Sequence, residues 1–325
     1  MIVTVTPNPS LDRTVTLATP LTRGAVHRVN SVTTEPGGKG VNVARALALA
    51  GVDAVALLPA SGTDPMVTAL QSIGAPFRCV PITSPVRTNI AVTEKDGTTT
   101  KINEPGARLD DAAVDALTRS VVANAGHASW VVMSGSLPPG MPESWYADVV
   151  AQLAPYDCKV AVDTSDRPLA ALVDAFDRAA PDLIKPNAEE LAGVIGFAPQ
   201  ALEAALAQGD PEPVVSAARQ LLERGVGAVL ATLGAAGAVL VTDTGSWLAT
   251  PPPIVPRSTV GAGDSSLAGY LRADVGGAEP AQRLQMAVAY GSAAAALPGS
   301  ALPTPSEIDL DDVVVTSIPL ITNPS

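Results

Sequence analysis

The sequence predicts an α/β fold, a three-layer α/β/α sandwich with a mostly parallel sheet and a small antiparallel β-flap added to it. Three observations carry this. Short Val-rich runs recur between helical stretches, as buried parallel strands do when helices cover both faces. Two regions, Arg13 to Val32 and Arg87 to Asn103, break that rhythm with period-2 Thr/Val alternation and no helix between the strands. Finally, 47% of the 325 residues are apolar but only 3% aromatic, a composition that suits close-packed helices over a Val-rich sheet and excludes a disordered chain.

Taken in order, Ile2 to Thr6 is a β-branched run stopped by Pro7-Asn8-Pro9, a strand entering a turn. The first flap region follows. Lys39 to Ala50 reads as a helix led by Gly37-Gly38 and closed by Gly51, Asp53 to Leu58 as a strand, and Asp64 to Ile73 as a helix. The second flap region carries a hairpin signal at Asp96-Gly97. Trp130–Met133, Lys159–Val162 and Ala228–Ala231 are buried-strand runs, with helices expected at Pro142–Leu153, Pro211–Arg224, Ala262–Val275 and Pro280–Leu297. Pro251-Pro252-Pro253 is a stiff connector. Repeated βα units imply right-handed crossovers. The flap, within about 12–33 and 86–104, reads as part of one domain spanning 1–325, able to close over a ligand or to pair with its copy in a dimer. An ordinary edge hairpin explains its pattern equally well.

A net charge of −12 argues against nucleic acid and against an anionic membrane surface as partners, because both are bound by clustered Lys and Arg. A small phosphorylated ligand stays possible, since one or two placed cations override a distant acidic field. Cys79 and Cys158, with no CxxC, form neither a zinc pattern nor a staple for a chain of this size, and read as thiols in a reducing compartment. The N-terminus lacks a charged leader and a long apolar region, and no run reaches the roughly 18 apolar residues of a membrane span. A cytoplasmic protein is expected. His27 and His127 read as surface or capping residues.

Four segments carry the chemistry. In Ser258-Thr259-Val260-Gly261-Ala262-Gly263-Asp264-Ser265, small residues open an apolar helix, whose unpaired amides and dipole favour an anion. Asp264, in the first turn, is placed to take a proton from an attacking hydroxyl, as phosphoryl transfer requires. Read alone, it is an N-capping Asp in a Gly-rich turn. Glu35-Pro36-Gly37-Gly38-Lys39-Gly40-Val41-Asn42 lacks P-loop spacing and is not a dinucleotide fingerprint. What it offers is close backbone approach plus Lys39 and Asn42, suited to a polyhydroxylated, phosphorylated ligand. Lys185-Pro186-Asn187-Ala188-Glu189-Glu190 is explained locally by an Asn187/Glu190 capping box; functionally it offers Glu190 near magnesium and Lys185 near nucleotide phosphates. Thr232-Leu233-Gly234-Ala235-Ala236-Gly237 is either a plain hairpin turn or a place where a nucleotide approaches closely.

Together these segments resemble the ribokinase-like sugar kinases, in their phosphofructokinase B branch. Thr259-Val260-Gly261-Ala262-Gly263-Asp264-Ser265 is similar to the branch's C-terminal signature, and Pro36-Gly37-Gly38-Lys39-Gly40-Val41-Asn42-Val43-Ala44 to its N-terminal one; the likeness runs from Thr6-Pro7-Asn8-Pro9-Ser10-Leu11-Asp12 to the final helices. The resemblance implies a ribokinase-like fold and ATP-dependent transfer of the γ-phosphoryl group to a sugar hydroxyl, with Mg²⁺ and, in some members, a monovalent cation such as K⁺. It implies Asp264 as base; the amides of Gly261, Ala262 and Gly263 as anion hole; and Asp12, Gly37, Gly38, Lys39 and Asn42 around the sugar. Arg87, with Ser136 as a weaker candidate, would meet the phosphate already present, helped by Lys39. Lys185, Asn187, Glu190, Thr232, Gly234 and Gly237 would line the nucleotide and magnesium side, Glu190 reaching the metal through water. The flap would lid the sugar and join a homodimer. One departure is Ala236, where many members carry an acidic residue. Fructose 1-phosphate, fructose 6-phosphate and tagatose 6-phosphate compete as acceptor. Val86 to Gly97, Lys39 within the glycine turn and Ser258 to Gly261 are most similar to the branch members that act on fructose 1-phosphate. A catalytically silent sugar-phosphate-binding regulator would have lost the base or the glycines, and a nicotinamide oxidoreductase would need the dinucleotide turn that Pro7-Asn8-Pro9 replaces.

Overall fold

The computed structural model describes residues 1–198 and 208–319, together with 202, 204 and 205. Ten strands form the main sheet in the order β14-β13-β12-β11-β10-β9-β8-β1-β4-β5. Here β1 is Ile2–Val5, β4 Ala54–Pro59, β5 Phe77–Val80, β8 Trp130–Ser134, β9 Lys159–Asp163, β10 Leu183–Ile184 and β11 Ala228–Thr232. These seven run parallel, while β12 (Ala238–Thr242), β13 (Gly245–Thr250) and β14 (Val314–Ile318) extend the sheet as an antiparallel edge. The short apolar runs of the sequence are these strands, and alternation splits each between two faces. In β1, Val3 and Val5 enter one core and Ile2 the other.

On one face lie α3 (Asp111–Ala125), α4 (Trp145–Leu153), α5 (Asp166–Asp174), α6 (Ala188–Ile195) and α7 (Glu212–Glu223). On the other lie α1 (Lys39–Leu49), α8 (Ala262–Val275) and α9 (Pro280–Ala296), with α2 (Pro65–Ser72) packed against α1 in a third, smaller cluster. The layers are those expected, and helix boundaries fall within a few residues of the sequence reading. Asp64 caps α2 by accepting from the Met66 amide at 2.8 Å. From β1 the chain moves to β4 and β5 on one side and later to β8, β9 and β10 on the other. That reversal opens a crevice beyond the C-terminal strand ends, where open α/β sheets bind ligands.

The flap is a second sheet, β3-β2-β6-β7, made of β2 (Ser10–Leu17), β3 (Val29–Gly37), β6 (Arg87–Thr93) and β7 (Thr99–Asn103). Its outer pairs, β2–β3 and β6–β7, are antiparallel as expected; its central pair, β2–β6, is parallel. Both central strands leave the body at the same end, Ser10 facing Arg87 in register, so they must run the same way. The strand β3 also runs past Val32 and delivers Gly37-Gly38-Lys39 directly to the head of α1. Val29, Val32 and Ile102 stay exposed on the flap. Both cysteines are free thiols. Among the described residues, no helix is long and apolar enough to cross a membrane.

Candidate active site

Strand ends and the heads of α1, α6 and α8 carry the site residues. Gly261, with φ of 77°, is the N-cap of α8, a left-handed conformation that favours glycine. Ser265 N–H donates to Gly261 O at 2.8 Å and closes the first α-helical bond; the amides of Gly263 and Asp264 precede that ladder, while Ala262 N–H makes a long contact with Thr259 O at 3.4 Å. A Cβ on Gly263 would lie 3.2 Å from Lys185 Nζ, which places that ammonium over the same turn.

Asp264 is buried in this first turn, and its Oδ2 accepts one hydrogen bond, from Asn42 Nδ2 at 2.8 Å. Burial above all, reinforced by the negative Asp163, pushes its carboxyl up to about 6 against the opposing pull of Lys39, Asn42 and Lys185. It therefore titrates just below neutrality while sitting beside a helix head.

Asp163, at the end of β9, is the site residue that the sequence reading missed. It is 1% exposed, and Lys39 Nζ donates to its Oδ1 at 3.1 Å. Lys185 Nζ lies 3.3 Å from Oδ2. Burial raises this carboxyl, but Lys185 and then Lys39 outweigh it and hold the group below the usual carboxylate range. Asp163 in turn lifts the Lys39 ammonium above its ordinary value, against a smaller loss from burial. The one local trace of Asp163 is an acidic residue closing an apolar strand run, which by itself does not tell a ligand-facing carboxylate from a loop residue. Ser134 Oγ, beside Asp163 in the sheet, Asn42 Oδ1, on the side chain that holds Asp264, and Thr6 Oγ1 and Ser265 Oγ are buried without a hydrogen-bond partner. Buried polar atoms are rarely left so, and a cluster of them marks a place that receives something polar.

The base of the flap forms a second group. Asp12 Oδ1 accepts from Ser10 Oγ at 2.8 Å and Asn89 Nδ2 at 3.2 Å, and burial raises its carboxyl. Gly37 has no room for a Cβ, which would fall on the Asp12 carboxylate; Gly38, at φ 109°, passes against Thr6 and Pro9. Arg87 donates to Glu104 O at 3.1 Å and Asn8 O at 3.3 Å, while its buried Nε has no partner. Ser136 is exposed and reaches this group only through Asn8, whose Nδ2 donates to it at 3.2 Å. Asn8 is a second residue that the sequence reading did not single out.

The third group is on the far side of Lys185. The Asn187/Glu190 capping box is present: Glu190 N–H donates to Asn187 Oδ1 and Asn187 N–H to Glu190 Oε2, both at 2.8 Å. One Glu190 oxygen is thus engaged, and burial raises the carboxyl. Thr232 N–H donates to Pro186 O at 2.9 Å, and Thr232 bridges Asn187, so the two segments are neighbours. Gly234 and Gly237 belong to the β11–β12 hairpin turn, as the plain reading had it. Gly237 is required by packing, since a Cβ there would overlap Ala249 O; Gly234 faces open space. Of the two histidines, His27 accepts from Thr22 N–H at 3.0 Å in an exposed loop and stays outside the crevice.

Such an arrangement, a near-neutral carboxyl beside free amides with two ammonium groups held by one anion, suits transfer of a highly charged group to a hydroxyl. Comparison with known proteins agrees. The model of the pfkB family of carbohydrate kinases matches residues 6–307. Curated 1-phosphofructokinases of Haloferax volcanii and Xanthomonas campestris are similar to this chain. The first is 36% identical over 317 residues, covering 97% of this chain and 95% of the relative; the second is 35% identical over 274 residues, 83% of each. The crystal structure of phosphofructokinase-2 from Escherichia coli in complex with potassium superposes with a TM-score of 0.85 at 29% identity, over 94% of this chain and 96% of that one.

Proposed function

The chain belongs to the pfkB family of carbohydrate kinases, and on that footing we propose that it transfers the γ-phosphoryl group of ATP to fructose 1-phosphate, giving fructose 1,6-bisphosphate. The observation that carries the chemistry is Asp264, a buried carboxyl pushed up to about 6 in the first turn of α8, with one donor and a helix head beside it. A base is most effective when its pKa lies near the working pH.

Ionised Asp264 takes the proton from the sugar's 6-hydroxyl as that oxygen bonds to the γ-phosphorus. The bond to the β–γ bridging oxygen breaks, and ADP leaves with its electron pair. The amides of Gly261, Ala262 and Gly263 face the charge that spreads over the phosphoryl oxygens. Lys185, lying over that turn, serves the same charge from the nucleotide side. Lys39 shares Asp163 with Lys185, so we assign it to the reacting end and leave the sugar's existing phosphate chiefly to Arg87. Asp12 and Asn42, with the close approach allowed at Gly37 and Gly38, hold the sugar hydroxyls, and Ser136 lies behind them through Asn8.

Among the described residues, no group of three His, Cys, Asp or Glu forms a metal cage. The donors fit Mg²⁺ carried on nucleotide phosphates, which the Glu190 oxygen not used in the capping box would help to hold through water. When bound, the ion neutralises phosphate charge. Asn187, Thr232 and Gly234 border the nucleotide; Gly237 shapes the hairpin beneath it. The potassium of the Escherichia coli structure supports a monovalent cation here as well. We further read body and flap as one domain of a cytoplasmic protein, and the exposed Val29, Val32 and Ile102 as the flap face of a homodimer.

The test is ADP release with fructose 1-phosphate, fructose 6-phosphate and tagatose 6-phosphate. The highest kcat/KM is expected for fructose 1-phosphate; a higher value for either 6-phosphate overturns the choice of acceptor, and no phosphosugar-dependent release overturns the kinase.

A further inference from the structure

Lys39 and Lys185 come from opposite sides of the crevice. Lys39 opens α1 directly after the flap strand β3, and Lys185 follows β10 and lies over the Gly263 turn. Both are long, flexible side chains whose placement costs rotamer entropy, and an ammonium has no rigid fork to orient itself. Nevertheless they converge on one carboxylate, each with its own oxygen, at 3.1 and 3.3 Å. That carboxylate is 1% exposed and stands at a strand end, a stiffer support than a loop. The loop beyond it is anchored: Thr164 Oγ1 and Tyr146 OH both donate to Gly135 O, at 2.9 and 2.7 Å. Two residues further on, Asp166 has φ of 55°, the one non-glycine in the left-handed region among the described residues. Strain of that kind persists where surrounding structure over-determines a loop.

We propose that Asp163 is the positioning residue of the reaction, one anion that sets the spacing between a sugar-side and a nucleotide-side ammonium so that both meet the transferring phosphoryl group together. This rests on the kinase reading above. Each ammonium has three protons and gives one to Asp163, so both lysines can keep that hold while they also meet phosphate oxygens, and the buried hydroxyl of Ser134, the strand neighbour of Asp163, has no partner of its own. Asp163 itself touches neither substrate. Its removal leaves the phosphate-attracting charges in place and takes away their alignment, and alignment is spent in the transition state.

The experiment is steady-state kinetics of Asp163→Asn beside the wild type, with both substrates varied. The expected result is a kcat lower by about a hundredfold, with KM for ATP and for the phosphosugar each within about threefold of wild type. The double variant Asp163→Asn/Lys185→Met should be no slower than its slower single parent, because both parents break one unit. Should Asp163→Asn not fold, Asp163→Glu keeps the charge and shifts it by one methylene; a kcat at least tenfold lower at unchanged KM carries the same conclusion. A kcat within threefold of wild type in the folded variant, a rise in KM at unchanged kcat, or losses that multiply in the double variant overturn the proposal. An active wild type beside an equally active Asp163→Asn sinks the positioning role alone; an inactive wild type sinks the kinase reading and this role with it.

Discussion

Helix α8 carries a buried aspartate at each end, Asp264 in its first turn and Asp274 in its last, and the two live in opposite surroundings. Asp274 is saturated. Its Oδ1 accepts from Arg283 at 2.8 Å and Lys159 at 3.0 Å, and its Oδ2 from Trp130 Nε1 at 2.8 Å and again from Lys159 at 3.0 Å. A carboxylate at a helix C-terminus opposes the dipole, so two cations and an indole are needed to keep it there. Asp264 sits at the favourable end, yet it has one amide donor and a like charge nearby, and it is pushed up to about 6. One helix thus uses the same residue type at similar burial for two purposes. Full satisfaction makes Asp274 a structural tie between α8, β8, β9 and α9, whereas incomplete satisfaction suits Asp264 to the proposed exchange of a proton.

The comparison breaks most visibly at the head. Asp264→Asn keeps the shape but cannot accept the proton, and kcat should fall by about a thousandfold, as general bases are worth. Sugar-phosphate affinity, read by calorimetry, should stay within about threefold; a variant with near-normal turnover would remove Asp264 from its role. Next, Arg87→Ala takes a charged donor from the proposed phosphate anchor. KM for the phosphosugar should rise about thirtyfold, the loss of roughly 2 kcal/mol, against little change for ATP. Equal effects on both substrates would show that Arg87 serves only to tie Glu104 and Asn8 together.

The two ends also differ in how they respond to pH. In the proposed role Asp264 acts ionised, so with its pKa raised to about 6 activity should be full above that value and be lost as pH falls through it. Between pH 7 and pH 5, kcat/KM, which reads the free enzyme, should drop about tenfold. A profile flat down to pH 5 would mean that the group is ionised throughout or does not limit the rate. The smallest change in rate is expected at the tail. Asp274→Asn should leave kcat within about twofold while lowering stability by about 1–2 kcal/mol, since the lost hydrogen bonds are to charged donors that solvent partly screens. Thermal unfolding followed by circular dichroism reads that loss, and an unshifted midpoint would contradict the structural role.

What was legible in the sequence is what is local. The turn at Gly261 to Asp264, the Asn187/Glu190 capping box and the Asp96-Gly97 hairpin each depend on residues a few positions apart, so spacing alone reveals them. The Thr/Val alternation likewise exposed the flap. Asp163 was not legible, because its partner Lys39 lies 124 positions away and meets it only once the order of β1, β8 and β9 is known. The parallel β2–β6 pair and the Asp274 cluster were hidden for the same reason: Trp130 reaches Asp274 across 144 positions. At Gly237 the spacing was read toward a ligand as well as toward a hairpin; the hairpin is present, and the overlap with Ala249 O supplies a packing reason for glycine that the sequence did not show.

Phosphorus-31 spectroscopy of the reaction mixture tests the central claim, that the head of α8 transfers phosphate to a sugar. With ATP and fructose 1-phosphate, a bisphosphate signal should grow in step with ADP in the wild type and vanish in Asp264→Asn. Inorganic phosphate appearing in place of the bisphosphate, or a bisphosphate signal undiminished in the variant, would contradict it.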